Sequence, residues 1–296
     1  MNITNIYGLP EPFVNACKSA YKYTPKRYSV TTVLRGACEA ILKRRHDEES
    51  EMDACDMVWM VLGTAVHKIF EEAEALPSQH KEMRIEMPVP ETDGYVLSGI
   101  IDLFDEATGI ITDYKTASVY KYMKRDWEDY RKQLLYYAVL LKANGFSPKQ
   151  GRITLIFKDF SETEKLGKPD YPEHSVFEIW WNYSEEELEA AEREIIERFK
   201  LIIELESKED ADLEPCSPEE RWDKPAKWAV TKKGNKRATK LCDTEEEAHE
   251  EADTLMAGGK DKYEVTYRAG EHSKCLKYCT VTKWCPFYQK EVANAE

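Results

Sequence analysis

Two short apolar runs constrain this chain more than any other feature. They are Ser98-Gly99-Ile100-Ile101-Asp102-Leu103-Phe104 and Ile110-Ile111-Thr112-Asp113-Tyr114-Lys115. Each has the length of a strand and Gly109 stands in the break, so the spacing predicts an antiparallel hairpin. Side chains alternate across a strand, which places Asp113 and Lys115 on one face and Tyr114 on the other. Two close carboxylates repel, and a hard divalent cation relieves that repulsion while binding water and phosphate oxygen. The pattern points to metal-dependent phosphodiester chemistry, with Asp102 and Asp113 as metal ligands. Lys115 would orient or deprotonate the attacking water, or offset charge on phosphorus.

The flanking sequence predicts an α/β core around this hairpin. Helices are expected at about Thr31–Arg45 and Asp56–Ala75, the second with Val58, Leu62, Ala65 and Ile69 as its main apolar stripe. A strand at Met83–Val89 precedes the hairpin strands Tyr95–Phe104 and Ile110–Lys115. A long helix at Trp127–Asn144, stopped by Gly145, leads to strands Arg152–Lys158 and Val176–Trp181. Ser184 and Glu187 form a capping box that opens an acidic helix reaching Glu204. The opening residues, with Pro10, Pro12 and Pro25, read as an extended arm. Residues 216–268 break the rhythm: a hairpin about Gly234-Asn235, a helix and a strand read as an inserted module. Residues 1–215 and 269–296 would form the main domain.

A formal net charge of −14 argues against a nucleic-acid partner until its distribution is considered. Residues 184–220 hold 15 acidic and 4 basic side chains, so most of the excess belongs to one helix and the segment after it. Residues 224–240 carry seven basic residues and no acid, which suits either a solvated hairpin or a nucleic-acid or partner contact. No apolar run approaches bilayer length and the N-terminus lacks a secretion signal, so the expected location is cytoplasmic, with no membrane contact. The eight cysteines would then be reduced, as metal ligands or small apolar residues.

Further candidates cluster about the hairpin. His67 falls off the apolar stripe of its helix, on the side of Gly63, and imidazole nitrogen could supply a third metal ligand. A glycine inside a helix implies close approach by another group. Gln133 and Tyr137, four apart, share a helical face and could hydrogen-bond a phosphate or Lys115. Tyr120, Lys121, Lys124, Arg125 and Arg131 mix aromatic and basic groups as a single strand of DNA would require. Cys275, Cys279 and Cys285 form a compact set that needs a fourth ligand for tetrahedral zinc or an iron–sulfur cubane, and Cys38 is the candidate.

In this order, the motifs resemble the RecB-type branch of the PD-(D/E)XK nucleases, and most closely its iron–sulfur members, such as the CRISPR-associated exonucleases and the AddB nuclease domain. The resemblance rests on His67, Asp102, Asp113 with Lys115, and Gln133 with Tyr137, over about Thr31–Lys158, plus Cys38 before this core and three cysteines after it. It implies a restriction-endonuclease-like mixed sheet flanked by helices, with a small inserted α+β module and a C-terminal cysteine cluster. By analogy His67, Asp102, Asp113 and the Tyr114 carbonyl hold Mg²⁺ or Mn²⁺, and the cysteines hold a structural [4Fe–4S] cluster, with zinc as the other occupant. The implied activity is an exonuclease that prefers single-stranded DNA, working with helicase, recombination or CRISPR partner proteins. A catalytically silent DNA-binding or assembly subunit is the alternative. The first two C-terminal cysteines are separated by three residues, where two are expected in relatives.

Overall fold

The predicted hairpin forms the centre of a mixed sheet in the computed structural model, which describes residues 1–18, 23–259 and 261–292. The chain divides into two compact units, Met1–Glu209 and Asp210–Glu296. In chain order the first unit contains β1 (Asn2–Thr4), α1 (Glu11–Cys17), β2 (Arg27–Ser29), α2 (Val30–Val33), α3 (Ala37–Arg45), β3 (Glu51–Asp53) and α4 (Val58–Glu72). It continues with β4 (Gln79–Pro88), β5 (Val96–Asp105), β6 (Ile110–Ala117), α5 (Val119–Lys124), α6 (Glu128–Ala143), β7 (Gln150–Phe157), α7 (Glu162–Lys165), β8 (Val176–Asn182) and α8 (Glu185–Glu206).

Six strands make the main sheet, ordered β2-β5-β6-β7-β8, with β4 along the remaining edge of β5. Strand β5 is long and its two edges differ. Strand β4 pairs along one edge from Gln79↔Asp105 to Pro88↔Val96. On the other edge β2 takes the start, at residues 96–98, and β6 takes the end, from Leu103↔Thr112 to Asp105↔Ile110. Strand β6 then leaves β5 and runs parallel to β7 through Ala117↔Phe157. The sheet therefore forks just past Leu103 and Thr112, so Asp102 and Asp113 stand at the fork.

Helix α6 is buried from Gln133 through Leu141 except at the half-buried Leu135, and it packs against β4 to β7 and against α8. Helix α8 buries Leu188, Ala191, Ile195, Phe199, Ile202 and Leu205, a three- and four-residue spacing that leaves its acids outside. The predicted capping box is present: Ser184 Oγ accepts from the Glu187 amide and Glu187 accepts from the Ser184 amide. Gly99 lets α6 approach β5, because a Cβ there would lie 2.9 Å from the Tyr137 ring.

Three local expectations change. The single helix at Thr31–Arg45 is two, α2 and α3, because Gly36 is extended (ψ 135°) as the N-cap of α3. The stripe assigned to the next helix is not its buried face: Val58, Leu62 and Ile69 are exposed. Its contact runs instead through Gly63, where a Cβ would lie 3.6 Å from Thr116 Oγ1, and through Phe70, whose ring stacks on Tyr114 at 4.3 Å. The opening residues are structured rather than an arm. Strand β1 pairs in parallel with β3, Pro12 lies in the first turn of α1, and Val14, Cys17, Ala54 and Met57 make a small core. Residues 19–22 of the expected arm lie outside the described residues.

The second unit contains β9 (Asp223–Lys224), β10 (Lys227–Lys232), β11 (Lys240–Cys242), α9 (Glu245–Ala257), β12 (Tyr263–Arg268), β13 (Glu271–His272) and α10 (Ser273–Lys277). The predicted hairpin, helix and strand form a sheet ordered β11-β10-β12 covered by α9, with Val230, Cys242, Ala248 and Ala252 at its core. Gly234 turns the hairpin at φ 92°. Residues 269–296, which the sequence groups with the main domain, cluster here with the module, through the pairing of β13 with β9.

Candidate metal-dependent active site

The fork in the sheet, α4 above it and α6 below it bring the candidate residues together. His67 on α4 places Nδ1 3.2 Å from Asp102 Oδ1. The other Asp102 oxygen accepts from the Tyr114 amide at 2.8 Å, a bond that spans the fork where the strand ladder has ended. Asp113 is buried; its Oδ2 lies 2.7 Å from Lys115 Nζ, and its Oδ1 accepts from Gln133 Nε2 at 3.1 Å. The same Gln133 amide reaches the Tyr137 hydroxyl at 3.1 Å. The alternation read from sequence holds, with Asp113 and Lys115 turned to α6 and Tyr114 turned to Phe70 on α4.

Electrostatics follow from this crowding. Asp102 bonded to its ring raises the His67 pKa above the ordinary 6.5, against the opposing effect of burial. Burial raises Asp113, with Lys115 pulling the other way and Asp102 adding to the rise. Burial disfavours the Lys115 charge, but Asp113 beside it outweighs that and raises its pKa. Burial also raises Tyr137. Several acids facing one lysine and one imidazole leave negative charge that a cation would relieve.

One member of the site was missed in the sequence. Ligand atoms of His67, Glu82 and Asp102 lie within 4.8 Å of one another. Glu82 sits inside β4 with φ +46°, between the pairs Lys81↔Leu103 and Met83↔Ile101, opposite Asp102. This left-handed residue turns a carboxylate into the fork. Burial, then Asp102, raises its pKa. The expected strand begins at Met83, one residue too late to include it. Two oxygens and one imidazole nitrogen suit a hard divalent cation, and the donor set therefore fits one. A cavity of about 100 Å³ lined by Phe70, Lys81, Asp102 and Tyr114 opens beside it.

The expected DNA contacts separate into two groups. Lys121 lies 5.1 Å and Lys115 5.9 Å from the Tyr130 ring, so this tyrosine links the fork to α5. Tyr130, Gln133 and Tyr137 share the three- and four-residue spacing of one helical face, a signal present in the sequence but unused. Tyr120 is exposed under Lys124, and Arg125 covers the Tyr122 ring at 4.1 Å. Arg131 instead pairs with Glu187 and Glu128, joining α6 to the start of α8. In the second unit, Lys224, Lys227, Lys232, Lys233 and Lys240 pair with the unit's own Glu271, Asp243, Asp261, Glu264 and Glu251. That leaves little of the basic run uncompensated. Cys38 is buried on α3 in the first unit, whereas Cys275, Cys279 and Cys285 lie in the second.

A family model described as the PD-(D/E)XK nuclease superfamily matches residues 21–286. No curated protein matches the sequence. Among solved structures, SSO0001 is 16% identical, with 65% of this chain and 84% of that chain covered at a TM-score of 0.47. LHK-Exo in complex with dAMP is 11% identical over 59% of this chain and 91% of that one, at 0.33. A phage-related exonuclease from Haemophilus somnus 129PT is 9% identical over 63% and 76%, at 0.25. Likeness at these scores carries no functional argument.

Proposed function

The chain belongs to the PD-(D/E)XK nuclease superfamily, and from that premise we propose that it hydrolyses DNA as a metal-dependent exonuclease preferring single strands. The observation that carries this reading is the fork, which sets Asp102, Asp113 and Lys115 beside His67 with the Asp113–Lys115 contact at 2.7 Å. His67, Glu82 and Asp102 would hold Mg²⁺ or Mn²⁺, joined by Asp113 and the Tyr114 carbonyl. When bound, the ion supplies charge stabilisation to a phosphoryl oxygen and lowers the pKa of water.

The remaining steps belong to this chain's side chains. Water adds to phosphorus as the bond to the leaving deoxyribose oxygen breaks, and that oxygen leaves with a proton. Lys115, held as an ammonium by Asp113, offsets charge on the phosphoryl oxygens. Gln133, fixed between Asp113 and Tyr137, positions Asp113. Tyr120, Lys121, Lys124, Arg125 and Tyr130 offer rings and cations to unpaired bases and their phosphates, which supports the single-strand preference. Cys275, Cys279 and Cys285 with a fourth thiolate hold a structural [4Fe–4S] cluster, zinc being the other occupant; the family pattern gives Cys38 that fourth place. Helicase, recombination or CRISPR-type proteins are the partners this reading entails. Among the described residues no helix is long and apolar enough to cross a membrane.

The test follows 5′- and 3′-labelled single-stranded and duplex DNA in Mn²⁺, comparing the parent with Asp113→Ala and Lys115→Ala. Loss of cleavage by about 10²-fold or more in both variants is expected, and the product ladders give the polarity. Salt-sensitive binding by the parent with no cleavage of any end or length would replace this reading with that of a silent DNA-binding subunit.

A further inference from the structure

We propose that Trp59 on α4 is the stacking platform for an unpaired base of the substrate strand, with Lys158 seated on its ring. The proposal rests on the reading of the fork as a nuclease site that prefers single strands. It adds the residue that tells an unpaired strand from a duplex.

Helix geometry places Trp59 on the face that carries the site. At the helical period, Trp59, Gly63, His67 and Phe70 fall within an arc of about 80°. Phe70 stacks on Tyr114 and Gly63 lies at Thr116, so α4 runs antiparallel to β6. Trp59, one turn before Gly63, therefore reaches the end of β6 rather than its middle. Lys158 Nζ stands 3.6 Å from the centre of the Trp59 ring. The Lys158 amide donates to the carbonyl of Ala117, the last residue of β6, at 3.0 Å. His67 follows Trp59 by eight residues, about 12 Å along the helix axis. That distance spans about three stacked nucleotides of one strand.

The ring is open to a ligand. Trp59 is 56% exposed although Lys158 lies over it, so indole surface is left for a second partner. An ammonium on one side and a base on the other is an arrangement that the electron-rich face of an indole favours. Among the described residues Lys158 pairs with no carboxylate, and the indole is what its ammonium faces.

The surroundings favour nucleic acid over an apolar protein segment as the occupant. Asp159, next to Lys158, accepts from the Val119 amide at 2.7 Å and fixes the start of α5 beside the end of β6. Tyr122 anchors α5 through Phe157 at 5.6 Å and Phe177 at 4.9 Å, while Tyr120 is exposed. Helix α5 carries Lys121 and Lys124 and no acid. Lys121 shares the Tyr130 ring with Lys115, which links these cations to the fork. Cations without acids complement a polyanion. An exposed ring takes bases that are not already stacked inside a duplex, which is why Trp59 would select single strands.

The experiment measures binding of fluorescently labelled single strands and blunt duplexes of about 12 nucleotides to the metal-free full chain, by anisotropy, for the parent, Trp59→Ala and Trp59→Phe. Trp59→Ala should raise the single-strand Kd about 10-fold, the order of one lost base–aromatic stack, and the duplex Kd less than about 2-fold. Trp59→Phe keeps an aromatic face and should recover most of the affinity. Stacking neutralises no phosphate, so the slope of log affinity against log salt should stay that of the parent. In Mn²⁺ the loss should appear in KM for single strands. Parent-like single-strand affinity in Trp59→Ala, or an equal loss on duplexes, would overturn the proposal; cleavage by the parent would leave the nuclease reading intact. A parent that binds single strands through Trp59 and cuts nothing would instead sink the nuclease reading and leave the platform standing. Should Trp59→Ala fail to fold, tryptophan fluorescence replaces it. Single strands should quench the parent more than Trp59→Phe, and equal quenching would refute the assignment.

Discussion

At the scale of single residues, the fork combines ordinary side chains with one unusual backbone. Glu82 adopts φ +46°, a conformation that costs a non-glycine residue about 1 kcal/mol or more. The strain turns its carboxylate toward His67 and Asp102. Glu82→Gly should therefore relieve strain while removing a ligand. We expect metal-free Glu82→Gly to melt no lower than the parent, and its Mn²⁺ affinity to fall about 10-fold or more. Calorimetric titration with Mn²⁺ reads this directly; an unchanged affinity would make Glu82 a feature of the strand's backbone alone. Lys115 and Asp113 form a pair in which each partner holds the other's charge. The double variant Asp113→Ala/Lys115→Ala should thus cost far less activity than the sum of the single losses.

At the scale of elements, the site depends on how closely α6 lies on β5. Gly99 permits that approach, since a methyl there would stand 2.9 Å from the Tyr137 ring. Gly99→Ala should displace Tyr137 and, through it, Gln133 and Asp113. Cleavage should fall by about 10²-fold, from a misplacement of about 1 Å. Single-turnover kinetics at saturating DNA would show the loss in the chemical step, with binding nearly unchanged.

The N-terminal elements yield a pH prediction. Asp53 on β3 accepts from the Ile6 amide at 2.8 Å, Thr4 Oγ1 at 2.8 Å and the Cys55 amide at 3.0 Å. These bonds, that from Ile6 foremost, hold its pKa well below the ordinary 3.8. A depressed folded-state pKa contributes stability above the unfolded value, and that stability is lost as pH falls through the folded one. The parent's melting temperature should therefore decline from about pH 4 downward, and Asp53→Asn should flatten that limb. An identical acid limb in both proteins would remove Asp53 from the account.

At the scale of the whole molecule, net charge is a poor guide to partners. The acids of α8 lie outside its apolar stripe, and most cations of the 224–240 run are paired within their own unit. Among the described residues, Lys121, Lys124 and Arg125, on α5 and at its C-cap, make no carboxylate pair. Three phosphate contacts predict a slope of about −2 for log affinity against log salt on single strands. Removing Lys121 should lessen that slope by about 0.7. A slope unchanged in Lys121→Ala, yet halved when Lys236 and Arg237 are replaced, would move the contact to the hairpin.

The sequence by itself determined the α/β core, its strands and its hairpin, because apolar alternation, glycine breaks and caps are local signals of period two or 3.6. It also determined that Asp102, Asp113, Lys115, His67, Gln133 and Tyr137 are polar groups at fixed places on those elements. What only the tertiary structure decided was how the elements meet. The face of α4 that packs is the one bearing Gly63, His67 and Phe70, although the other stripe is more apolar. Glu82 joins the site through a left-handed backbone conformation inside β4 that leaves no mark in the residue pattern. Tyr130 enters because α6 lies where its face meets both Lys115 and Lys121. The grouping of 269–296 with the module rests on β9–β13 pairing between segments far apart in sequence. Local propensity specifies an element and its faces; which face is buried depends on the neighbour that covers it.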